Sequence, residues 1–324
     1  MQAPRFLIAR LSSIGDIILT SPVIHAIRAH YGSEARIDFV CNSKFKGAAE
    51  LLHGLDEIHL VERATIEISS NLKKLNFHYF IDLHCNVRSR SLSKALGILT
   101  FKVDKQSAPR FALTLGLRKK PVLHFVDRSL KLLDTYNMRE PENSVWGTIN
   151  TSNVPVPESY IAITPGATYK GKAIPEFILL EVCAKLTDIG IVIALLGGPD
   201  TSEIASRIES TSPLITSFCG TTTLKETAHI LKHSKLAIGG DTGVMHLACA
   251  LGIPLISVWG CTRPSLGLAP WKPNPNSAIL LPMGRGERPC SRHGAKCRFS
   301  KRGKDLCINH VSADRIIEST QRIL

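Results

Sequence analysis

The tightest constraint in this chain is a pattern that runs twice along it: a short apolar run, a tight loop of small and polar residues, then apolar residues returning at helical spacing. In the first half Phe6-Leu7-Ile8-Ala9 ends in Ser12-Ser13-Ile14-Gly15-Asp16, and apolar positions resume at Ile17, Val23, Ile24 and Ile27. This reads as strand, loop and helix. Pro22 removes a backbone donor inside the helical stretch, so the helix either kinks there or starts at Ser21. Strand-like runs follow at 36–40 and 79–83. The same alternation restarts with strands at 160–164, 191–196, 236–238 and 254–259, helices at 177–187, 202–208 and 244–251, and a closing helix at 313–324. Alternation of this kind predicts an α/β fold with doubly wound parallel sheets. A length of 324 residues, 44% hydrophobic, is too long for one ordinary core and fills two. The polar, proline-bearing stretch 140–158 is the expected linker, giving units 1–150 and 151–324. The final helix, 312–324, is placed to return to the first unit.

No run approaches the roughly 20 apolar residues that span a bilayer, and Arg5 and Arg10 flank only four apolar residues, which argues against a signal peptide or anchor. Nine cysteines scattered among long apolar segments fit a reducing, cytoplasmic setting better than a disulfide scaffold. The formal charge of +13 favours phosphate-bearing partners, whether nucleotides, nucleic acids or anionic lipid headgroups. Eight basic residues fall within 285–304 against Glu287 alone, leaving the second half near neutral outside that loop.

Open parallel sheets bind ligands at the carboxyl ends of their strands, and three motifs fall there. In the first, Gly15 allows a close turn and Asp16 is delivered to the rim, either as a base for a sugar hydroxyl or as a cap on the following helix. The loop lacks the G-x-G-x-x-G spacing of a dinucleotide fold, which counts against a dehydrogenase. The second runs from Thr164 to Pro175. Its backbone amides, the Thr168 hydroxyl and the ammonium of Lys172 or Lys170 can surround a phosphate. The third is Gly239-Gly240-Asp241-Thr242-Gly243-Val244-Met245-His246, where Asp241, Thr242 and Gly243 would meet a pyrophosphate at a helix amino terminus. His246 follows one turn on, as a phosphate or sugar contact or as a structural histidine. Cys290-x6-Cys297-x9-Cys307, with His293 and His310 nearby, lacks the C-x2-C pairs of a standard zinc site, so the expectation is reduced thiols and no metal.

Taken together, the Gly15-Asp16 loop, Lys172-x-x-Pro175 and Gly240-Asp241-Thr242-Gly243-x-x-His246 resemble, in order and spacing, the family-nine glycosyltransferases, the ADP-heptose:lipopolysaccharide heptosyltransferases. The resemblance implies a GT-B architecture, with two Rossmann-like domains facing each other across a cleft, the first binding acceptor and the second nucleotide-sugar. It also implies inverting transfer that needs no metal or cofactor, the ADP-sugar being a substrate. Carried over by position, Asp16 is the general base, with Ser13, Gly15 and Arg88 near the acceptor. Thr168 and Lys172 meet the diphosphate, Lys172 easing charge on the leaving ADP. Asp241, Thr242, Gly243 and His246 contact the donor, and Asp200 holds its ribose. Ala167 and Ile174 depart from the family pattern. The implied partners are a nucleotide-sugar donor and a lipid-linked or core oligosaccharide acceptor, with no nucleic acid. A monomer is expected, cytoplasmic or peripheral on the cytoplasmic face of the inner membrane. Two other readings stay open: a different nucleotide-sugar donor, and a non-catalytic basic protein for nucleic acid or anionic glycolipid.

Overall fold

The computed structural model describes residues 3–136, 146–300 and 305–324. The chain forms two compact units, Met1–Lys105 with Phe125–Asn150, and Gln106–His124 with Thr151–Leu324. The first unit carries β1 (Arg5–Ala9), β2 (Arg36–Asn42), β3 (Glu57–Val61), β4 (Tyr79–Asp82) and β5 (Leu99–Lys102). They pair in the order β3-β2-β1-β4-β5, every pair parallel. Its helices are α1 (Ile14–Ile18), α2 (Ser21–Tyr31), α3 (Lys46–Ala49), α4 (Ser69–Lys74) and α5 (Val87–Leu96). After α6 (Ser107–Leu115), which belongs to the second unit, α7 (Phe125–Leu130) returns to the first.

The second unit has β6 (Ile161–Thr164), β7 (Ile193–Leu195), β8 (Ile215–Ser217), β9 (Ala237–Gly240), β10 (Leu255–Val258) and β11 (Ala278–Leu280). Their order is β11-β10-β9-β6-β7-β8, again all parallel. Around them lie α8 (Glu176–Asp188), α9 (Ser202–Glu209), α10 (Leu224–His233), α11 (Gly243–Ala250) and α12 (Ala313–Ile323).

A parallel strand is covered by helices on both faces, so its residues are apolar without alternation. Phe6, Leu7, Ile8 and Ala9 of β1 are all fully buried, as are Ala162 and Ile163 of β6 and Ile256 and Val258 of β10. Leu7 packs with Val40, Phe80 and Leu92 in the first core, and Ile163 with Leu179, Ile238 and Ile256 in the second. Each such side chain contributes about 1.5–3 kcal/mol by leaving water. Pro22 sits in the first turn of α2, where the amide it lacks has no helical partner anyway. The structure therefore selects a new helix starting at Ser21 over a kink.

Two sequence expectations change. The stretch 106–124 leaves the first half for the second unit, where Leu113 and Val122 pack on Leu266. Its edge is tied by Val122 N donating to Ser265 O at 3.1 Å and by His124 Nε2 meeting Ala269 O at 2.9 Å. Secondly, α12 belongs to the second unit and lies against α8, with Lys185 Nζ 2.8 Å from Asp314 Oδ1, because its apolar Ile316 and Ile317 complete that core. Of the expected linker, residues 140–145 lie outside the described residues.

Candidate active site

In each sheet the strand order reverses beside a central strand, and the carboxyl ends there form the natural ligand crevice of a doubly wound fold. In the first unit this point lies between β1 and β4. The loop leaving β1 carries Arg10 and Ser13 and leads into α1 with Gly15 and Asp16, while Asp82 ends β4 and His84 to Arg88 follow it. Asp16 stands on the first turn of α1, where its Oδ2 accepts from Ser13 N at 3.2 Å and Ser13 Oγ at 2.9 Å. Its Oδ1 lies 2.7 Å from Arg10 Nη2. The capping role is thus realised, and a quarter of the side chain (24%) still faces solvent. Burial would raise its pKa, but the Arg10 guanidinium and the two Ser13 bonds outweigh it and hold the carboxyl well below the usual carboxylate range.

Arg10 is a residue the sequence reading passed over. It donates through Nε to Ser12 O at 2.9 Å and through Nη1 to Leu83 O at 2.5 Å, and lies 4.9 Å over the Phe125 ring. One side chain therefore ties the loop after β1 to the loop after β4 and aims Asp16. Fully buried Asp82 organises the second loop, accepting from His84 N at 3.0 Å, Cys85 N at 2.7 Å and Ser89 Oγ at 2.8 Å. Burial, helped by the Arg10 and Lys105 cations, pushes His84 down to about 3, so its imidazole is neutral. Arg88 is exposed near the start of α5, its guanidinium making no ion pair among the described residues.

In the second unit the reversal falls between β6 and β9. Gly239 and Gly240 end β9, and a Cβ on Gly240 would stand 2.0 Å from Lys172 O, so only glycine lets the loop after β6 lie on that strand. This approach brings Lys172 Nζ to 2.8 Å from Asp241 Oδ2, with Lys172 19% and Asp241 6% exposed. Thr262, which the sequence reading also missed, donates from Oγ1 to the same carboxylate oxygen at 2.8 Å. Thr242 caps α11, accepting from Met245 N at 3.4 Å, and Gly243 is the first helical residue. His246 is buried one turn along. Thr168 and Lys170 are exposed on the loop after β6, so of the two lysines Lys172 is the one held in place. Asp200 is exposed in the turn after β7. A fixed ammonium beside a helix amino terminus makes a local anion site, and Asp241 keeps that charge from being stranded in a mostly buried position.

The structure also gathers thiols the spacing left apart. Cys261, just beyond β10, joins Cys290, Cys297 and Cys307, all four Sγ atoms lying within 4.8 Å of one another.

Among the described residues no helix is long and apolar enough to cross a membrane. The family model for glycosyltransferase family 9 (heptosyltransferase) matches residues 66–297, well over half of the chain. The chain is 22% identical to lipopolysaccharide heptosyltransferase 3 of Escherichia coli K12, over 96% of this chain and 95% of that protein. The solved structure of the E. coli ADP-heptose lipopolysaccharide heptosyltransferase II superposes with a TM-score of 0.74 at 18% identity, covering 98% of each chain. A family 9 glycosyltransferase from Veillonella parvula gives 0.79 at 15% identity, over 100% of this chain and 98% of that one. With two parallel sheets of the GT-B kind and a family match over residues 66–297, the chain belongs to glycosyltransferase family 9 and is a glycosyltransferase.

Proposed function

We propose that the protein transfers a heptose, or a closely related sugar, from an ADP-sugar to a lipopolysaccharide inner-core acceptor with inversion at the anomeric carbon. The observation that carries this reading is the Lys172–Asp241–Thr262 cluster at the reversal point of a family 9 second unit. The acceptor hydroxyl oxygen attacks the anomeric carbon as the bond to the β-phosphate oxygen of ADP breaks. The hydroxyl proton passes to the Asp16 carboxylate, and negative charge grows on the departing diphosphate. Lys172, with Thr168 and the amides at Thr242 and Gly243, receives that charge, so the chemistry calls on no metal. Ser13, Gly15 and Arg88 line the acceptor side, Asp200 meets the donor ribose, and Asp241 and His246 contact the donor.

Calorimetry with ADP, UDP and GDP tests the donor. ADP is expected to bind at least about tenfold more tightly than the other two, a difference of about 1.4 kcal/mol. Preference for UDP or GDP would replace the ADP-sugar by another nucleotide-sugar. No nucleotide binding, together with steeply salt-dependent DNA binding, would favour the non-catalytic basic protein.

We also propose that the protein works as a monomer in the cytoplasm, held peripherally at anionic lipid through the basic loop 285–304. Arg292, Lys296 and Arg298 are exposed, whereas Arg285 is engaged with Asp305 at 2.5 Å, and 301–304 lie outside the described residues. Flotation with phosphatidylglycerol vesicles should capture the protein at low salt and release it at high salt. The triple variant Arg298→Glu, Lys301→Glu, Arg302→Glu should stay in solution, and vesicle capture unchanged by it would remove the membrane role.

A further inference from the structure

The four converging cysteines come from two places. Cys261 follows β10 directly, and Cys290, Cys297 and Cys307 lie on the long excursion beyond β11. The Cys290 and Cys307 sulfurs are 3.4 Å apart and those of Cys297 and Cys307 are 3.6 Å apart. A disulfide requires about 2.05 Å, so these sulfurs are not bonded to each other. Four thiolates around one tetrahedral ion, at metal–sulfur distances of about 2.3 Å, stand about 3.8 Å from one another. The observed spacings match that arrangement. Thiols are weak hydrogen-bond partners, and mutual thiol contacts give little reason for four of them to meet at one point.

We infer that Cys261, Cys290, Cys297 and Cys307 form a tetrathiolate site for one metal ion, Zn2+ or a single iron ion. Four sulfur ligands in a closed tetrahedral shell suit either metal and leave no open position for substrate, which makes the site structural. Each cysteine binds as thiolate and gives its proton to solvent. A divalent ion with four thiolates carries a net charge of −2, which the exposed Arg292, Lys296 and Arg298 of the same loop offset. The described residues between Leu281 and Leu306 form no helix or strand, so they lack a backbone ladder of their own. A metal cross-link fixes such a segment where secondary structure does not.

The site also underlies the Lys172 segment. Cys261 N donates to Gly171 O at 2.8 Å, and Cys261 O accepts from Cys290 N at 2.8 Å. The next residue, Thr262, holds Asp241. Gly294, at φ +83°, lies so close that a Cβ there would be 2.7 Å from Lys172 Cγ. The metal-bound loop is thus one wall of the place where Lys172 is held. This second part rests on the donor-site reading above; the metal site itself does not.

The test uses the full chain, purified under reducing conditions without a metal-affinity column. Elemental analysis should find about one zinc or iron per chain, and a rubredoxin-like visible spectrum identifies iron. Cobalt(II) added to the reduced, metal-stripped protein should give an intense thiolate-to-cobalt charge-transfer band. An organomercurial should release the native metal in step with titration of the four thiols. Cys297→Ser should lose the charge-transfer band. Should that variant fail to fold, the cobalt and mercurial measurements on the wild-type protein decide alone. Less than about a tenth of a metal ion per chain from metal-replete cells, with no cobalt charge-transfer band, overturns the site. Metal removal should weaken ADP binding at least about tenfold while far-ultraviolet circular dichroism is retained. Unchanged ADP affinity in the metal-free protein overturns the link to Lys172 and leaves the metal site standing.

Discussion

Asp16→Asn is expected to lower kcat by about a thousandfold, within the range for loss of a positioned general base, while the Kd for ADP stays within about twofold of the wild type. The substitution keeps the shape of the side chain, and Arg10 retains its bonds to Ser12 O and Leu83 O, so the loop keeps its course. What disappears is the proton acceptor. A carboxylate held as low as Asp16 is too weak a base to deprotonate a sugar hydroxyl before attack. It takes the proton as the new bond forms and the hydroxyl oxygen becomes acidic. Its low pKa also means it is already ionised by about pH 5, so kcat/KM should show no protonation step from Asp16 between about pH 5 and 7. The stability effect has a definite sign. A carboxyl whose folded pKa is depressed stabilises the fold above its unfolded value of about 3.9, and that contribution is lost as pH falls. The stability gap between wild type and Asp16→Asn should therefore narrow as the pH drops below about 4. Near-normal turnover by Asp16→Asn would end the general-base assignment.

Lys172→Met should reduce kcat/KM by about 10²–10³-fold, the usual effect of removing one electrostatic stabiliser of a leaving anion. It should also lower stability by up to about 3 kcal/mol, since among the described residues Asp241 is left mostly buried with only the Thr262 side chain to satisfy its carboxylate. The fifth of Lys172 that remains exposed softens that penalty through solvent screening. The two effects separate in the double variant Lys172→Met, Asp241→Asn, which strands no charge. Its urea midpoint should recover most of the loss while transfer stays slow. Recovery of turnover in the double variant would mean that Lys172 only neutralises Asp241, and the diphosphate role would fall.

The three motifs legible in the sequence sit at the ends of β1, β6 and β9, because central parallel strands must be apolar throughout and so advertise both themselves and the loops that follow. The outer strands do not. β3 carries Glu57 and His59 and is mostly half-exposed, β5 ends in exposed Lys102, and β8 is the three residues Ile215-Thr216-Ser217, so none presents the apolar run that periodicity detects. Side chains that act across loops were equally hidden. Arg10 looks like a charge after a strand until Leu83, Ser12 and Asp16 are seen around it. Thr262 and Cys261 lie outside every recognised motif, and only the fold of β10 beside β9 brings them to Asp241 and to the distant cysteines. Linear spacing hides the thiol cluster for the same reason: one of its four members arrives from another part of the chain.

The excursion of residues 106–124 into the second unit bears on how this enzyme can be re-engineered. A chimera cut at residue 150, grafting 151–324 onto another enzyme's amino-terminal half, would deliver Leu266 without Leu113 and Val122, its natural cover. A functional graft has to carry 106–124 as well, spliced into the recipient's first half. On the ribosome the same geometry means that this stretch is made some 140 residues ahead of Leu266 and waits for it, so the second unit cannot be finished by its own half of the gene product alone.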